Sequence, residues 1–466
     1  MMKSYAAFIR RGIAVTAVML WAAALSARQP NVILILIDDM GWRDVGFAGN
    51  RHIDTPNLDR LAKGGAVLSQ CYAAAPNCAP SRACLLTGQF TPRHGVYTVV
   101  DDRYAPGQPH MRVLSTKGND ELPAATRTVA DSLRGKGYAT ALLGMWNLGR
   151  GRTGSTGSPT SRGFDLYRKP EDLGFAKDAY QDAQQRYLSD ALADEAIAWM
   201  EKQKDKPFFL YYADHSVHEP FDPKPELVAK YRARKAAGAD VGITPEYAAT
   251  VEALDTAIGR IVAKVESLGL AKDTLILFTS DNGGLPYVVG SLRGSKGLLY
   301  EGGIRAPGLA YWPGTIPAGR VIAEPVSGID FAPTILEATQ TPAPKDQAVD
   351  GISLLSALRT GAPLPARSLY WHFPCYIGKG EPMSLLRLGD YKLIHKFAGP
   401  TFELYNLRLD PGETKDLAKA EPERLAAMKQ QLAKWQKETG AFLADQPNPA
   451  YDPAAKEPRG KRGSKK

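Results

Sequence analysis

Two apolar patterns alternate along most of the chain. Continuous runs of β-branched and aromatic residues predict strands buried on both faces, and the clearest is NVILILI at Asn31–Ile37. Between these runs, apolar residues recur at helical spacing. The predicted strands cover residues 31–37, 66–73, 138–143, 208–212, 274–279 and 309–312, and the predicted helices cover residues 55–65, 126–134, 182–204, 224–235, 245–268 and 332–338. This alternation predicts an α/β fold, with a large, mostly parallel sheet sandwiched by helices.

The pattern changes after the proline-rich stretch near Pro363. Short apolar runs separated by turn residues predict a small antiparallel sheet, and an amphipathic segment predicts a final helix. We therefore expect a main domain over residues 28–365 and a C-terminal α+β subdomain over residues 366–449. The strands of the subdomain are predicted at residues 370–373, 384–388, 392–396 and 403–406, and its helix at 422–439.

Both ends of the chain differ from its body. Three bases precede an apolar run over residues 12–25 that ends in small residues, so residues 1–27 predict a cleavable signal peptide and a secreted or periplasmic protein. The run is short for a membrane span, which makes a stable membrane anchor the weaker interpretation. Residues 450–466 are rich in lysine and arginine and predict a basic, disordered tail.

The formal net charge of +9 is concentrated at these two ends. The signal segment contributes three positive charges and the tail from Lys456 contributes five, so the body carries a net charge of only +1. A nearly neutral body argues against nucleic acid as the main ligand. The four cysteines also lack the paired spacings of a zinc site or of a dense disulfide framework.

Oxygen-bearing side chains follow two of the predicted strands. Asp38 and Asp39 end the first apolar run, and Asp281 and Asn282 come just after the run at residues 274–279. The carboxyl ends of parallel strands are where open α/β sheets bind ligands, and a hard cation relieves the repulsion between adjacent carboxylates. The alternative for Asp38 and Asp39 is a solvated turn.

The stretch CAPSRACLLTG, from Cys78 to Gly88, carries the second chemical signal. Pro80 fits the first helical position and Gly88 ends the helix, so Cys78 is predicted to lie just ahead of a helix start. Unpaired backbone N–H groups and the helix dipole favour an anion there. The alternative is a buried cysteine before an ordinary helix.

Seven residues of this stretch match the signature of the type I sulfatases, C-x-P-S-R-x-x-x-L-T-G. Further motifs extend the resemblance along the body: IDDMGW, TPNLDRLA, DNGG, GSKGLLYEGGIRAP, GDYKLI and ELYNLRLDPGE. The chain thus resembles the formylglycine-dependent, arylsulfatase-like members of the alkaline-phosphatase superfamily. The resemblance implies an alkaline-phosphatase-like fold, with the sulfatase catalytic domain over residues 28–365.

The resemblance also implies a reaction and a set of site residues. Cys78 would be oxidised to formylglycine by a sulfatase-modifying enzyme, and the hydrated aldehyde would attack sulfur, release the alcohol and then expel sulfate. Arg82 would orient the nucleophile, Lys296 would contact the sulfate and the leaving oxygen, and His218 would protonate the leaving group. One divalent cation, calcium ahead of magnesium, would be held by Asp38, Asp39, Cys78, Asp281 and Asn282. Of the remaining thiols, Cys71, Cys84 and Cys375, at most two could form a disulfide.

One motif departs from the family pattern. Many members have GKWHLG where this chain has GMWNLG, so Met145 replaces a sulfate-binding lysine and Asn147 replaces a histidine. Methionine cannot pair with sulfate, and asparagine can hydrogen-bond substrate but cannot take a proton. We expect a sulfatase of reduced efficiency, with carbohydrate sulfates favoured over small aryl sulfates by analogy and by polar loops at residues 101–110 and 150–176. The alternatives are a degenerate sulfatase that only binds sulfated ligands and a phosphate or phosphonate ester hydrolase on the same fold.

Overall fold

The computed structural model describes residues 28–149, 155–177, 179–237 and 242–457. The predicted signal peptide and the last nine residues of the predicted tail lie outside this range. Among the described helices, none is long and apolar enough to cross a membrane.

Eight described strands form the central sheet, and its central strands pair in parallel. In chain order the strands are β1 (Asn31–Ile37), β2 (Ala66–Leu68), a short separate strand β3 (Cys71–Tyr72), β4 (Ala139–Gly144), β5 (Leu166–Arg168), β6 (Phe208–Asp214), β7 (Thr274–Ser280), β8 (Gly308–Tyr311) and β9 (Arg320–Ile322). The sheet order is β5-β4-β6-β1-β7-β8-β2-β9. Among the described strands of this sheet, only β8 pairs antiparallel to its neighbours. The strand β10 (Val326–Ser327) pairs with β3.

Helices cover both faces of this sheet, as the sequence predicts. The described α-helices that precede the C-terminal subdomain are α1 (Pro56–Gly64), α2 (Cys78–Thr87), α3 (Thr91–His94), α4 (Val129–Gly135), α5 (Leu188–Gln203), α6 (Pro225–Ala236), α7 (Pro245–Ser267), α8 (Glu301–Ile304), α9 (Phe331–Ala338) and α10 (Leu355–Thr360). Alternate residues of β1 point to opposite sides. Ile33 and Ile35 pack in a core with α1, α5 and α7, whereas Val32 and Leu34 pack in a core with α2, α4 and α9.

The C-terminal subdomain also has the predicted architecture. Strands β11 (Ser368–Phe373), β12 (Met383–Leu388), β13 (Tyr391–Lys396) and β14 (Thr401–Asn406) form an antiparallel sheet in chain order. Helix α11 (Pro422–Thr439) packs on this sheet through Met428, Leu432 and Trp435.

The structure differs from the predictions in a helix and in a loop that flank the main sheet. The predicted helix over residues 182–204 begins only at Leu188, because Asp182 accepts hydrogen bonds from the backbone of Gln184 and Arg186 and closes a turn first. The segment 150–176, predicted to be a long surface loop, contains β5 and two 3₁₀ helices in its described part, at Pro159–Arg162 and Pro170–Leu173.

Candidate active site

The predicted oxygen ligands meet at one edge of the central sheet. Strands β1 and β7 are adjacent and parallel, with Ile37 in register with Ser280, so the residues that follow each strand emerge side by side. The backbone N–H of Asp39 donates to Asp281 Oδ1 at 3.3 Å, and Asn282 Nδ2 donates to Asp39 Oδ1 at 2.9 Å. Asp38, Asp39, Asp281 and Asn282 are all buried.

Cys78 joins this group from helix α2. Its Sγ lies 3.2 Å from Asp38 Oδ1 and 3.7 Å from Asn282 Oδ1. The helix begins at Cys78 itself, two residues earlier than predicted, and Asn77 occupies the N-cap position. Pro80 is compatible with this earlier start because the first N–H groups of a helix have no partner within the helix. Cys78 therefore lies in the first helical turn instead of ahead of it.

These residues fit one hard cation. Ligand atoms of Asp38, Asp39, Cys78 and Asp281 lie within 4.8 Å of one another. Burial, with the charge of Asp38 nearby, raises the pKa of Asp39, and the same causes raise the pKa of Asp281 to about 7. The carboxylates thus repel each other, and a cation bound among them would offset that repulsion. The ligand atoms of the three aspartates are oxygens, which a hard cation prefers, and the fourth is the sulfur of Cys78.

Arg82 lies behind the cluster and is fully buried. Its Nη2 lies 3.0 Å from Asp38 Oδ2 and 2.9 Å from Asp281 Oδ2. Burial opposes the charge of Asp38, but Arg82 and Lys296 outweigh it and lower the Asp38 pKa. Arg82 thus fixes the orientation of two carboxylates, Asp38 and Asp281, that lie beside Cys78.

Lys296 and His218 reach the cluster from the open side. Lys296 Nζ lies 2.7 Å from Asp39 Oδ1, and His218 Nε2 lies 3.5 Å from Asp39 Oδ2. The His218 side chain is 39% exposed, so it can meet a substrate. Its Nδ1 lies 2.7 Å from the Glu219 carbonyl oxygen, which can only accept, so Nδ1 carries a proton and Nε2 faces the site.

Met145 and Asn147 also face the site, at the position that the altered motif predicts. They follow β4, where Gly144 has φ 103° and an added Cβ would lie 2.1 Å from the Ala213 carbonyl oxygen, so this bend requires glycine. The Met145 carbonyl accepts from Arg82 at 2.6 Å. Both residues line the same cleft as Cys78. The two residues that depart from the expected motif therefore belong to the site.

The cleft above the cluster has a volume of about 1030 Å³. Of the two polar loops expected at its rim, residues 101–110 contribute Asp101, Arg103 and Tyr104, whereas the described part of residues 150–176 does not line it. That part instead packs against the body, where the Arg162 guanidinium donates to carbonyl oxygens of Pro123 and Thr126.

Several residues that line the cleft lie outside the motifs identified in the sequence. The C-terminal subdomain supplies Ile377, Gly378 and Lys379, and only the docking of that subdomain brings them to the cleft. Asn77, a residue type favoured at N-caps, could have been noticed beside Cys78. His215 is buried beside Tyr180 with its Nδ1 unpaired and does not line the cleft. All four cysteines are free.

Comparisons with known proteins agree with this geometry. The family model "Sulfatase" matches residues 30–341, and the model "N-sulphoglucosamine sulphohydrolase, C-terminal" matches residues 294–438. Arylsulfatase A of Homo sapiens is 33% identical over 486 residues, covering 89% of this chain and 90% of that protein. A sulfatase of Formosa agariphila is 31% identical over 475 residues, covering 85% of each chain.

A solved structure shows the same fold. The crystal structure of Ps i-CgsB in complex with k-i-k-neocarrahexaose superposes with a TM-score of 0.74 at 28% identity. The match covers 88% of this chain and 93% of that chain.

Proposed function

The chain belongs to the sulfatase family, and we propose that it hydrolyses a sulfate ester with a formylglycine formed from Cys78 and one divalent cation. Cys78, Asp38, Asp39, Asp281 and Asn282 would hold the cation, with Ca²⁺ favoured over Mg²⁺. Lys296 and His218 would act on the substrate. The export of the protein by a signal peptide over residues 1–27, and the division of the body near residue 365, are parts of the same proposal.

One observation carries the proposal more than any other. The cysteine of the signature lies 3.2 Å from a carboxylate of the acidic cluster, at the first turn of a helix. Burial and the charge of Asp38 raise the pKa of the Cys78 thiol well above its ordinary value, which argues against a thiolate as the nucleophile. The position suits an oxygen nucleophile beside a cation.

When bound, the cation and the formylglycine would supply a hydroxyl nucleophile of lowered pKa and screen the sulfate oxygens. The residues of this chain prepare that chemistry. Arg82 holds Asp38 and Asp281 in place through its two short contacts. The Lys296 ammonium, on the open side, is available to a sulfate oxygen once the charge of Asp39 is shared with a cation.

His218 is arranged to handle the proton of the leaving group. Its Nδ1–H donates to the Glu219 carbonyl oxygen, so the second proton of the imidazolium can reside only on Nε2, the atom that faces Asp39 and the cleft. An imidazolium that carries its second proton on Nε2 can protonate a departing alkoxide. Glu219 thereby sets which nitrogen acts.

A second candidate function is supported by Met145 and Asn147. Both line the cleft, and neither can pair with a sulfate charge or accept a proton. A protein that binds a sulfated ligand with little turnover would keep the cation cluster and lose these two groups. Turnover is the property that separates the two candidates.

For the substrate we propose a sulfated carbohydrate. The cleft volume of about 1030 Å³ lies at the upper end of small-molecule sites, which span roughly 300–1,000 Å³. There is room for more than one sugar ring. Arg103, Tyr104 and Lys379 at the rim can contact the rings beyond the sulfate.

The proposal is tested in protein purified from a host that contains the modifying machinery. Peptide mass spectrometry should find formylglycine at position 78, and the protein should release sulfate from sulfate esters faster than phosphate from matched phosphate esters. An unmodified thiol at position 78 would refute the nucleophile. Faster phosphate release would assign the protein to the phosphate or phosphonate ester hydrolases.

A further inference from the structure

The loop that carries Lys296 is fastened at both ends to the C-terminal subdomain. We define the Lys296 loop as residues 293–304. At its first residue, Arg293 Nη1 donates to Tyr405 Oη at 2.7 Å, and the guanidinium stacks 3.9 Å from the Tyr300 ring centroid. At its other end, the backbone N–H of Glu301 donates to Glu413 Oε2 at 2.7 Å.

A buried ion network strengthens the second attachment. Lys392, on β13, has a fully buried side chain that lies 3.0 Å from Glu301 Oε1 and 2.8 Å from Glu413 Oε1. The other carboxylate oxygen of Glu301 accepts from Tyr72 Oη at 2.7 Å and lies 3.3 Å from Arg305 Nη1. Burial disfavours charge on Glu301, but Lys392 and Arg305 outweigh it and lower its pKa.

The burial of this ion network costs desolvation free energy, and packing alone does not require charged residues at the junction. Each buried charge loses its hydration, and apolar residues of similar volume often replace buried ion pairs in proteins without loss of stability. Glu413 also has φ 54°, in the left-handed region that side chains rarely adopt. What the network supplies is a fixed geometry for Glu301.

Backbone hydrogen bonds connect Glu301 to Lys296 and fix the conformation of the loop between them. The N–H of Gly302 donates to the Arg293 carbonyl at 2.7 Å and closes the loop. The N–H of Leu298 donates to the Ser295 carbonyl at 3.0 Å, so Lys296 lies within a turn. The N–H of Lys296 itself donates to the Gly284 carbonyl at 3.1 Å, beside the metal-ligand segment that follows β7.

We infer that Lys392 and Glu413 are positioning residues of the reaction. They hold the Lys296 loop so that the Lys296 ammonium is placed at the sulfate end of the cleft. Neither touches the cleft, so they act only through Lys296. The inference rests on the proposed function, since it assigns Lys296 to the sulfate group.

The test is a double-mutant cycle between Glu413→Gln and Lys296→Ala. Glutamine keeps an acceptor for the Glu301 N–H and removes the charge that pairs with Lys392. In the wild-type background we expect kcat/KM on an aryl sulfate to fall about 10- to 100-fold, because small misplacements of a reacting group have effects of this size. In the Lys296→Ala background we expect less than about a twofold further loss.

A matched control lies at the same junction. Arg367, in the C-terminal subdomain, donates to Asp330 Oδ1 at 2.6 Å, and Asp330 is fully buried. Arg367→Met removes an ion pair of the same kind without touching the Lys296 loop. It should lower the thermal midpoint comparably and change kcat/KM less than about twofold. If Glu413→Gln fails to fold, Glu413→Asp is the milder variant, with the same background dependence expected.

An equal loss from Glu413→Gln in both backgrounds would overturn the inference, because it would show a general structural effect. Hydrogen exchange supplies a readout that needs no turnover. Amides of residues 295–300 should exchange faster in Glu413→Gln than in wild type or Arg367→Met, and unchanged exchange would also overturn the inference. If wild type does not turn over sulfate esters, that result counts against the proposed function. Hydrogen exchange alone then tests the positioning role of Lys392 and Glu413.

Discussion

Restoring the two altered side chains, by Met145→Lys together with Asn147→His, should raise turnover if the protein is a slow sulfatase. The backbone tolerates both changes. Met145 is held by main-chain contacts, its carbonyl to Arg82 and its N–H to the Ala213 carbonyl, so its side chain is free to vary. Asn147 has φ 54°, a conformation in which histidine, like asparagine, is enriched.

The expected gains follow from the groups that are added. A lysine at position 145 would add one charge-assisted hydrogen bond to sulfate, typically about 1.5–3 kcal/mol, or roughly 10- to 150-fold in affinity. A histidine at position 147 would add a proton acceptor, worth about 10²–10⁴ in rate. The gains should appear separately, in KM for Met145→Lys and in kcat for Asn147→His.

Stopped-flow kinetics on a chromogenic aryl sulfate would measure both. Wild type should show a burst of released alcohol, up to one per site, followed by a slow steady state, because Asn147 cannot assist the second step. The double variant should lose the burst as the steady-state rate rises. A fast wild type whose rate falls on reversion would refute this reasoning and show a cleft rebuilt for another substrate. No turnover in either form, with ligand binding retained, would favour the binding protein.

Three further predictions address the cation, the leaving group and pH. Calcium at about 100 times its Kd should stabilise wild type against unfolding by about 2.7 kcal/mol. In Asp281→Asn, calorimetry should show that most of this stabilisation is lost, because one of the clustered carboxylates becomes neutral. An undiminished stabilisation would show that the cation is bound elsewhere. His218→Gln should lower kcat/KM for alkyl or sugar sulfates by about 10²–10⁴ but for activated aryl sulfates much less, whereas equal losses would contradict its role as the acid. Burial lowers the pKa of His372 to about 4 and that of His94 to about 3, so the unfolded chain binds these protons first and the free energy of unfolding should fall as pH drops from 6.5 towards 4. Urea unfolding at several pH values would give the free energy of unfolding as a function of pH. This free energy should depend less on pH in His372→Gln than in wild type, and an unchanged pH dependence would contradict the role given to His372.

The acidic cluster could be predicted from the sequence because strand ends are geometrically constrained. Parallel strands such as β1 and β7 must place Asp38 and Asp281 at one edge, whatever the details of the loops. The sheet with helices on both faces could also be predicted, because a continuous apolar run such as that of β1 must be buried on both faces, as it is in the structure. The antiparallel subdomain followed from short runs between turns.

Contacts between distant segments could not be predicted in this way. No local pattern pairs Lys392 with Glu301, or brings Lys379 to the cleft, because both contacts depend on how the subdomain docks. The start of α2 was misplaced because Pro80 is compatible with several positions in the first turn. The polar composition of residues 150–176 suggested an exposed loop, but the Arg162 guanidinium finds carbonyl partners and is buried.

The release of inorganic sulfate from a sulfated oligosaccharide, compared between wild type and Cys78→Ala, tests the central claim most directly. The alanine variant keeps Asp38, Asp39, Asp281 and Asn282 but cannot form the aldehyde nucleophile. Wild type should release sulfate and the variant should release none above the uncatalysed rate, while both bind the oligosaccharide. Equal sulfate release by the two proteins would contradict the claim that Cys78 supplies the nucleophile of a sulfatase.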